Sequence, residues 1–108
     1  MTTERRRVPR YPFEALAEVV DEKENARTST RVRDLSLLGC YVETANPLPQ
    51  GTRVVIEISK DTDSLETHAT VAHFARKQGM GLEFGEMPES FFNVLNKWVV
   101  EAKDRKPR

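Results

Sequence analysis

The chain of 108 residues is poor in the groups from which small proteins build covalent or metal-held frameworks. It has one cysteine, Cys40, so no internal disulfide can form. A lone thiol fits a reducing compartment. There are two histidines, His68 and His73, and no CxxC, HExxH or glycine-rich phosphate loop. No apolar run approaches the roughly 20 residues that cross a bilayer. The N-terminus, "MTTERRRVPR", has charge but no apolar stretch behind it, unlike a secretory signal. Internal repeats and low-complexity segments are missing too. What remains is a soluble, cytoplasmic, single-domain protein with no membrane insertion. At this length a domain buries roughly 60–70% of the surface its unfolded chain exposes, enough to fold without metal or disulfide.

Net charge is also absent, with 17 basic and 17 acidic residues. The distribution is uneven, however. Residues 1–10 hold four arginines against one glutamate, and residues 103–108 hold four basic groups against one aspartate, so each end is +3 and the body −6. A nucleic-acid binder spreads positive charge over a folded face. An acidic body with basic ends argues against DNA or RNA as partner.

What is present is alternation. Phe13, Ala15, Ala17 and Val19 share one face, with Glu14 and Glu18 opposite. After the polar turn "DEKEN", Ala26, Thr28, Thr30 and Val32 alternate with Arg27, Ser29, Arg31 and Arg33. Cys40 and Val42 follow, then the loop "NPLPQG", then Val54, Ile56 and Ile58. "KDTDS" turns the chain into a long strand over residues 65–76, and "KQG" leads to Met80, Leu82 and Phe84. Six strands with short turns predict a mainly β fold, a small antiparallel barrel or sandwich. Beyond Pro88 the period changes. Phe91, Leu95, Trp98 and Ala102, joined by Phe92 and Val99, recur at helical spacing, with Ser90 as candidate N-cap. This C-terminal helix packs over the barrel mouth or onto its outer face. Phe92 and Val99 serve either core packing or a dimer contact.

No catalytic centre emerges, and the chain reads as a non-enzyme. His68 and His73 are five apart on one strand, on opposite faces, so they do not share a metal. Cys40 reads as a small buried apolar residue. Ser36 has no histidine near it in sequence.

Two short stretches carry recognition chemistry instead. "RRRVPR" sets Arg6 and Arg10 four apart, with Arg5 and Arg7 adjacent. Guanidinium groups pair bidentately with phosphate oxygens, contact the O6 and N7 edge of guanine, and stack on bases. Pro9 and Pro12 oppose a helix here. "RVRDLSLLGCYVET" breaks a strand pattern with Asp34, Ser36 and Gly39. Asp34 can accept from a guanine N1–H and N2–H₂ edge or from an arginine. Ser36 offers a hydroxyl and a nearby N–H. Gly39 permits a positive φ or a close backbone approach. The alternative is a turn or bulge whose Asp and Ser bond their own backbone.

Arg6-x-x-x-Arg10 followed by Asp34-x-Ser36-x-x-Gly39 resembles the signature of PilZ domains, bacterial receptors for the second messenger cyclic di-GMP. The resemblance extends over nearly the whole chain, including "PLPQGTRVVIEI", "GMGLEF" and the closing helix. It implies a six-stranded antiparallel PilZ-type β-barrel with a C-terminal α-helix. It also implies that Arg6 and Arg10 clamp the phosphates and guanine of cyclic di-GMP, that Asp34 and Ser36 bind a guanine edge, and that Gly39 lets the strand approach it. Arg5, directly before the motif, is also basic in members that bind two stacked ligands, which implies two ligands per chain. On this reading residues 1–12 are a flexible Arg-rich clamp, 13–103 the barrel and helix, and 104–108 a basic tail. No cofactor or metal is expected beyond the ligand, and the signal leaves through an unknown downstream protein effector. One departure is His73, where the family often has an aromatic residue. The competing reading is a PilZ-like protein adaptor that binds no nucleotide, against which the two intact motifs argue.

Overall fold

The computed structural model describes residues 8–105. Six strands, β1 (Tyr11–Asp21), β2 (Arg27–Leu35), β3 (Gly39–Glu43), β4 (Arg53–Lys60), β5 (Asp63–Ala75) and β6 (Gly79–Phe84), precede one helix, α1 (Glu89–Asp104). All neighbouring strands are antiparallel, and the order β1-β2-β3-β6-β5-β4 closes into a barrel. Closure leaves no unpaired edge, which is how a small all-β domain escapes edge-to-edge association.

The alternation produces the core directly. Phe13, Ala15, Ala17 and Val19 of β1 point inward, as do Val54, Ile56 and Ile58 of β4 and Leu65, Thr67, Ala69 and Val71 of β5. Tyr11 and Pro12, which the sequence groups with the N-terminal segment, are the first residues of β1. In β2 the inward row thins. Thr28 and Thr30 are only half-buried, and Ala26 lies in the turn before the strand.

Turn chemistry matches the loops read from sequence. Asp21 Oδ1 accepts from the Lys23 and Glu24 amides at 2.9 and 3.3 Å, and Asn25 takes a left-handed φ of 60°. Asp61, in the β4–β5 turn, does the same with φ 56°. Asn and Asp tolerate this region better than most side chains.

The helix differs from expectation at its start. Ser90 is not the N-cap. Pro88 occupies that position without a side-chain cap, its carbonyl accepting from the Phe91 and Phe92 amides at 3.0 and 2.9 Å. Ser90 is one residue inside, because Pro88, with φ fixed at −59°, already suits the residue that leads into a helix. Glu89 in the first turn and Lys103 in the last complement the helix dipole. Leu95, Trp98, Val99 and Ala102 form the buried face. Val99 therefore belongs to the core, while Phe92 and Val100 stay exposed. Trp98 meets the inward-pointing Phe13 with ring centroids 5.5 Å apart, so α1 covers the barrel mouth.

Candidate functional site

The break in the strand pattern at Asp34–Gly39 is the hairpin between β2 and β3. Ser36 N–H donates to the Gly39 carbonyl at 2.9 Å. Its buried Oγ accepts from the Leu38 and Gly39 amides at 3.0 and 3.1 Å. The Phe84 amide donates to the Leu38 carbonyl at 2.8 Å and pins the turn to β6. Ser36 is thus spent largely on its own turn. Of the two uses open to Gly39, the chain takes close approach. Its φ is not among the positive ones, and a Cβ there would lie 2.1 Å from the Leu82 carbonyl oxygen. What approaches is the neighbouring strand, so the residue's first duty is to β3–β6 pairing.

Rigidity of the turn fixes what surrounds it. Asp34, at the end of β2, pairs across the ladders with Pro12 on one side and Tyr41 on the other. Its carboxylate accepts from Arg10 Nη1 at 3.3 Å, with side chains 41% (Arg10) and 31% (Asp34) exposed. Both groups are half-open to solvent and able to exchange partners. Arg33, the next outward cation, is held by Glu43 across the β2–β3 ladder. Arg10 lines two clefts. One, of about 200 Å³, also contains Ser36, Leu38, Gly39 and His73. The other, of about 440 Å³, contains Pro12, Arg33, Asp34 and Tyr41. A cation between two clefts can serve two ends of one anionic ligand.

All three ladder irregularities among the described residues fall around this site. They lie between Pro12 and Ala15 in β1, Val32 and Asp34 in β2, and Val71 and His73 in β5. Bulges re-aim side chains and cluster near binding sites. The third overturns one expectation. His68 and His73 do not lie on opposite faces, because the extra residue Ala72 turns His73 outward as well. They still face different partners: His68 Nδ1 is 2.6 Å from Glu22 Oε2, and the His73 ring stacks on Tyr41 with centroids 6.3 Å apart.

Electrostatics at the site are in tension. Burial pushes the Asp34 carboxyl above its ordinary value, against the lowering effects of Arg10, the Tyr41 amide, Arg33 and His73, in that order. A native pKa raised above the unfolded one confers stability that is complete below the unfolded value and lost as pH rises through the native value. Ionised Asp34 therefore costs folding stability at neutral pH. Asp34→Asn should match or slightly exceed the parent's melting temperature near neutrality. The gain should stay within about 1 kcal/mol, because the carboxylate is partly solvated. It should shrink as the medium is acidified. Thermal unfolding across that range checks this, and a large loss at neutral pH would contradict it. Burial, and after it the nearby Asp34 charge, push the fully buried Cys40 thiol up to about 12, so it stays a protonated apolar side chain.

Of the residues predicted to bind, Arg10, Asp34, Ser36 and Gly39 come together here. Arg5 and Arg6 lie outside the described residues. The sequence reading missed Tyr41 and Arg33 as neighbours of the site. Their outward positions on β2 and β3, flanking Asp34, were the available signal.

A model of the PilZ domain family matches residues 4–101. No curated protein sequence matches the chain. Among solved structures, the PilZ domain with c-di-GMP of YcgR from Escherichia coli superposes with a TM-score of 0.76 at 19% identity, over 92% of each chain. The Bacillus subtilis inhibitor of motility gives 0.76 at 20% identity, over 94% of this chain and 52% of that one. The PilZ domain of CeSA from a cellulose-synthesizing bacterium gives 0.69 at 20%, over 88% and 98%.

Proposed function

Because the chain belongs to the PilZ domain family, we propose that it is a receptor for cyclic di-GMP that works by changing a protein-interaction surface and catalyses nothing. One observation carries this reading: the exposed Arg10–Asp34 pair stands between two clefts, against a turn made rigid by Ser36. Arg10 supplies a guanidinium for phosphate or for the guanine O6/N7 edge. Asp34 supplies an acceptor for the guanine N1–H and N2–H₂ edge. In the free protein each satisfies the other, and the ligand takes over both halves of the pair. Further support is the similar YcgR domain, which is described with c-di-GMP.

Arg5 and Arg6 complete the clamp in this proposal. Cyclic di-GMP carries two negative charges, and binding draws residues 5–10 across the barrel surface beside Asp34 and Ser36. Fixing each residue costs on the order of 1 kcal/mol in conformational entropy. Charge-assisted hydrogen bonds of roughly 1.5–3 kcal/mol each offset this. The reordered face, with two stacked ligands if Arg5 joins in, is then read by a downstream protein effector.

Competition tests the reading. Labelled cyclic di-GMP retained by the protein should be displaced by unlabelled cyclic di-GMP and not by GTP or cyclic di-AMP. Equal displacement by all three would reduce the site to a general anion pocket. No retention would favour an adaptor that binds only protein.

A further inference from the structure

His73 is the one ionisable ring in the small cleft, and the fold takes trouble to place it there. The bulge at Ala72 turns it outward, away from the core row of β5. Its imidazole lies flat over β6, where a Cβ on Gly81 would come within 2.2 Å of His73 Cε1. Tyr41 is seated the same way over Gly79, where a Cβ would be 2.8 Å from its Cζ. Two glycines of one strand thus make a floor for two stacked rings, tilted by 24°. His73 lines the cleft of about 200 Å³, Tyr41 the cleft of about 440 Å³, and Arg10 both. Among the described residues no hydrogen bond or ion pair holds the His73 ring, whereas Glu22 holds His68 at 2.6 Å.

The charged and titratable groups near His73 come from several elements: Arg10 before β1, Asp34 and the Glu43-bound Arg33 on β2, Tyr41 on β3, and Glu83 on β6, of which Arg10 and Glu83 line its cleft. Among the described residues Glu83 is the one carboxylate lining the small cleft, with Arg10 as its cation, while Asp34 lines the larger cleft. A protonated imidazole adds a positive charge where an anionic ligand would lie, and a neutral one does not. Histidine is the side chain that changes charge between about pH 5 and 8.

We propose that His73 touches the bound dinucleotide and that its protonation tightens the complex, an inference that rests on the receptor reading above. Binding of an anion against the ring raises the ring's affinity for its proton. The gain is complete below the titration of the free protein and is lost as pH rises through that of the complex.

Calorimetric titration of cyclic di-GMP at about pH 6 and about pH 8 reads this linkage. The parent protein should bind about fivefold more tightly at the lower pH. His73→Gln should bind equally at both, near the parent's high-pH affinity. Gly81→Ala, which displaces the ring without altering its chemistry, should also lose the slope. Arg10→Ala should weaken binding at both pH values and keep the slope. A slope in His73→Gln equal to the parent's, or none in the parent, overturns the inference and leaves the receptor reading intact. No binding by the parent at either pH overturns both. Should His73→Gln fail to fold, the His73 Cε1–H resonance of the parent, titrated with and without ligand, gives the same answer. Its midpoint should rise on binding, and equal midpoints would overturn the proposal.

Discussion

Arg10→Ala is expected to weaken cyclic di-GMP binding by about a hundredfold or more while leaving the melting temperature nearly unchanged. The residue precedes β1, and its ion pair with Asp34 is half-exposed. Such pairs contribute only about 0–1 kcal/mol to folding. Binding is different, because in the proposed complex Arg10, which lines two clefts, would make at least two charge-assisted hydrogen bonds to the anionic ligand. At roughly 1.5–3 kcal/mol each, their loss exceeds the ~2.7 kcal/mol that corresponds to a hundredfold. Removing Arg10 also takes away the largest influence that lowers the Asp34 carboxyl, whose pKa should climb further. A double-mutant cycle with Asp34→Asn should therefore show strong coupling, if the two groups act on one ligand as proposed. Binding and melting curves measured together decide the matter. Unchanged affinity would remove Arg10 from the site, and a large fall in melting temperature would make its role structural.

Gly39→Ala is expected to damage the fold itself. The new methyl carbon would lie 2.1 Å from the Leu82 carbonyl oxygen and 3.1 Å from its carbon, both backbone atoms of β6. No rotamer change can relieve a collision with backbone, so β3 and β6 must separate where Gly39 pairs with Glu83. Overpacking costs typically 1–3 kcal/mol and sometimes more. A value near 3 kcal/mol lowers the melting temperature of a domain this size by roughly 12–24 °C. Ligand binding should fall in proportion to the folded fraction and recover where the variant is folded. A melting temperature equal to the parent's would show that the strands are not in contact as described. The contrast with Arg10 matters, because two residues of adjacent motifs would lose binding for unrelated physical reasons.

Much of this was legible in the residues. Period-two alternation from Phe13 to Phe84 marked all six strands, because a closed barrel buries one face of each and the other meets water. The helix was legible through Leu95, Trp98 and Ala102, all buried. The convergence of Arg10 with Asp34 was foreseeable, since an arginine and a carboxylate placed before and after one hairpin meet when its strands pair. Ser36 and Gly39 were read as recognition elements or turn elements, and the turn takes most of their chemistry. The bulges were not legible. An extra residue such as Ala72 leaves no mark on an apolar pattern when it sits at the outward end of a strand. That single extra residue put His73 on the same outward face as His68 instead of the opposite one. Ser90 misled for a related reason. Cap preference is worth about 1 kcal/mol, and a proline two residues earlier had already set the helix start.

The most direct test of the account is to titrate isotope-labelled protein with cyclic di-GMP and follow backbone amide shifts. The expected result is saturable change at Arg10, Asp34, Leu38, Gly39 and His73, with the Asp21–Glu24 turn and Arg53 unmoved at the cleft they share elsewhere on the barrel. Absence of shifts at high micromolar ligand, or shifts centred on that acidic turn, would contradict it.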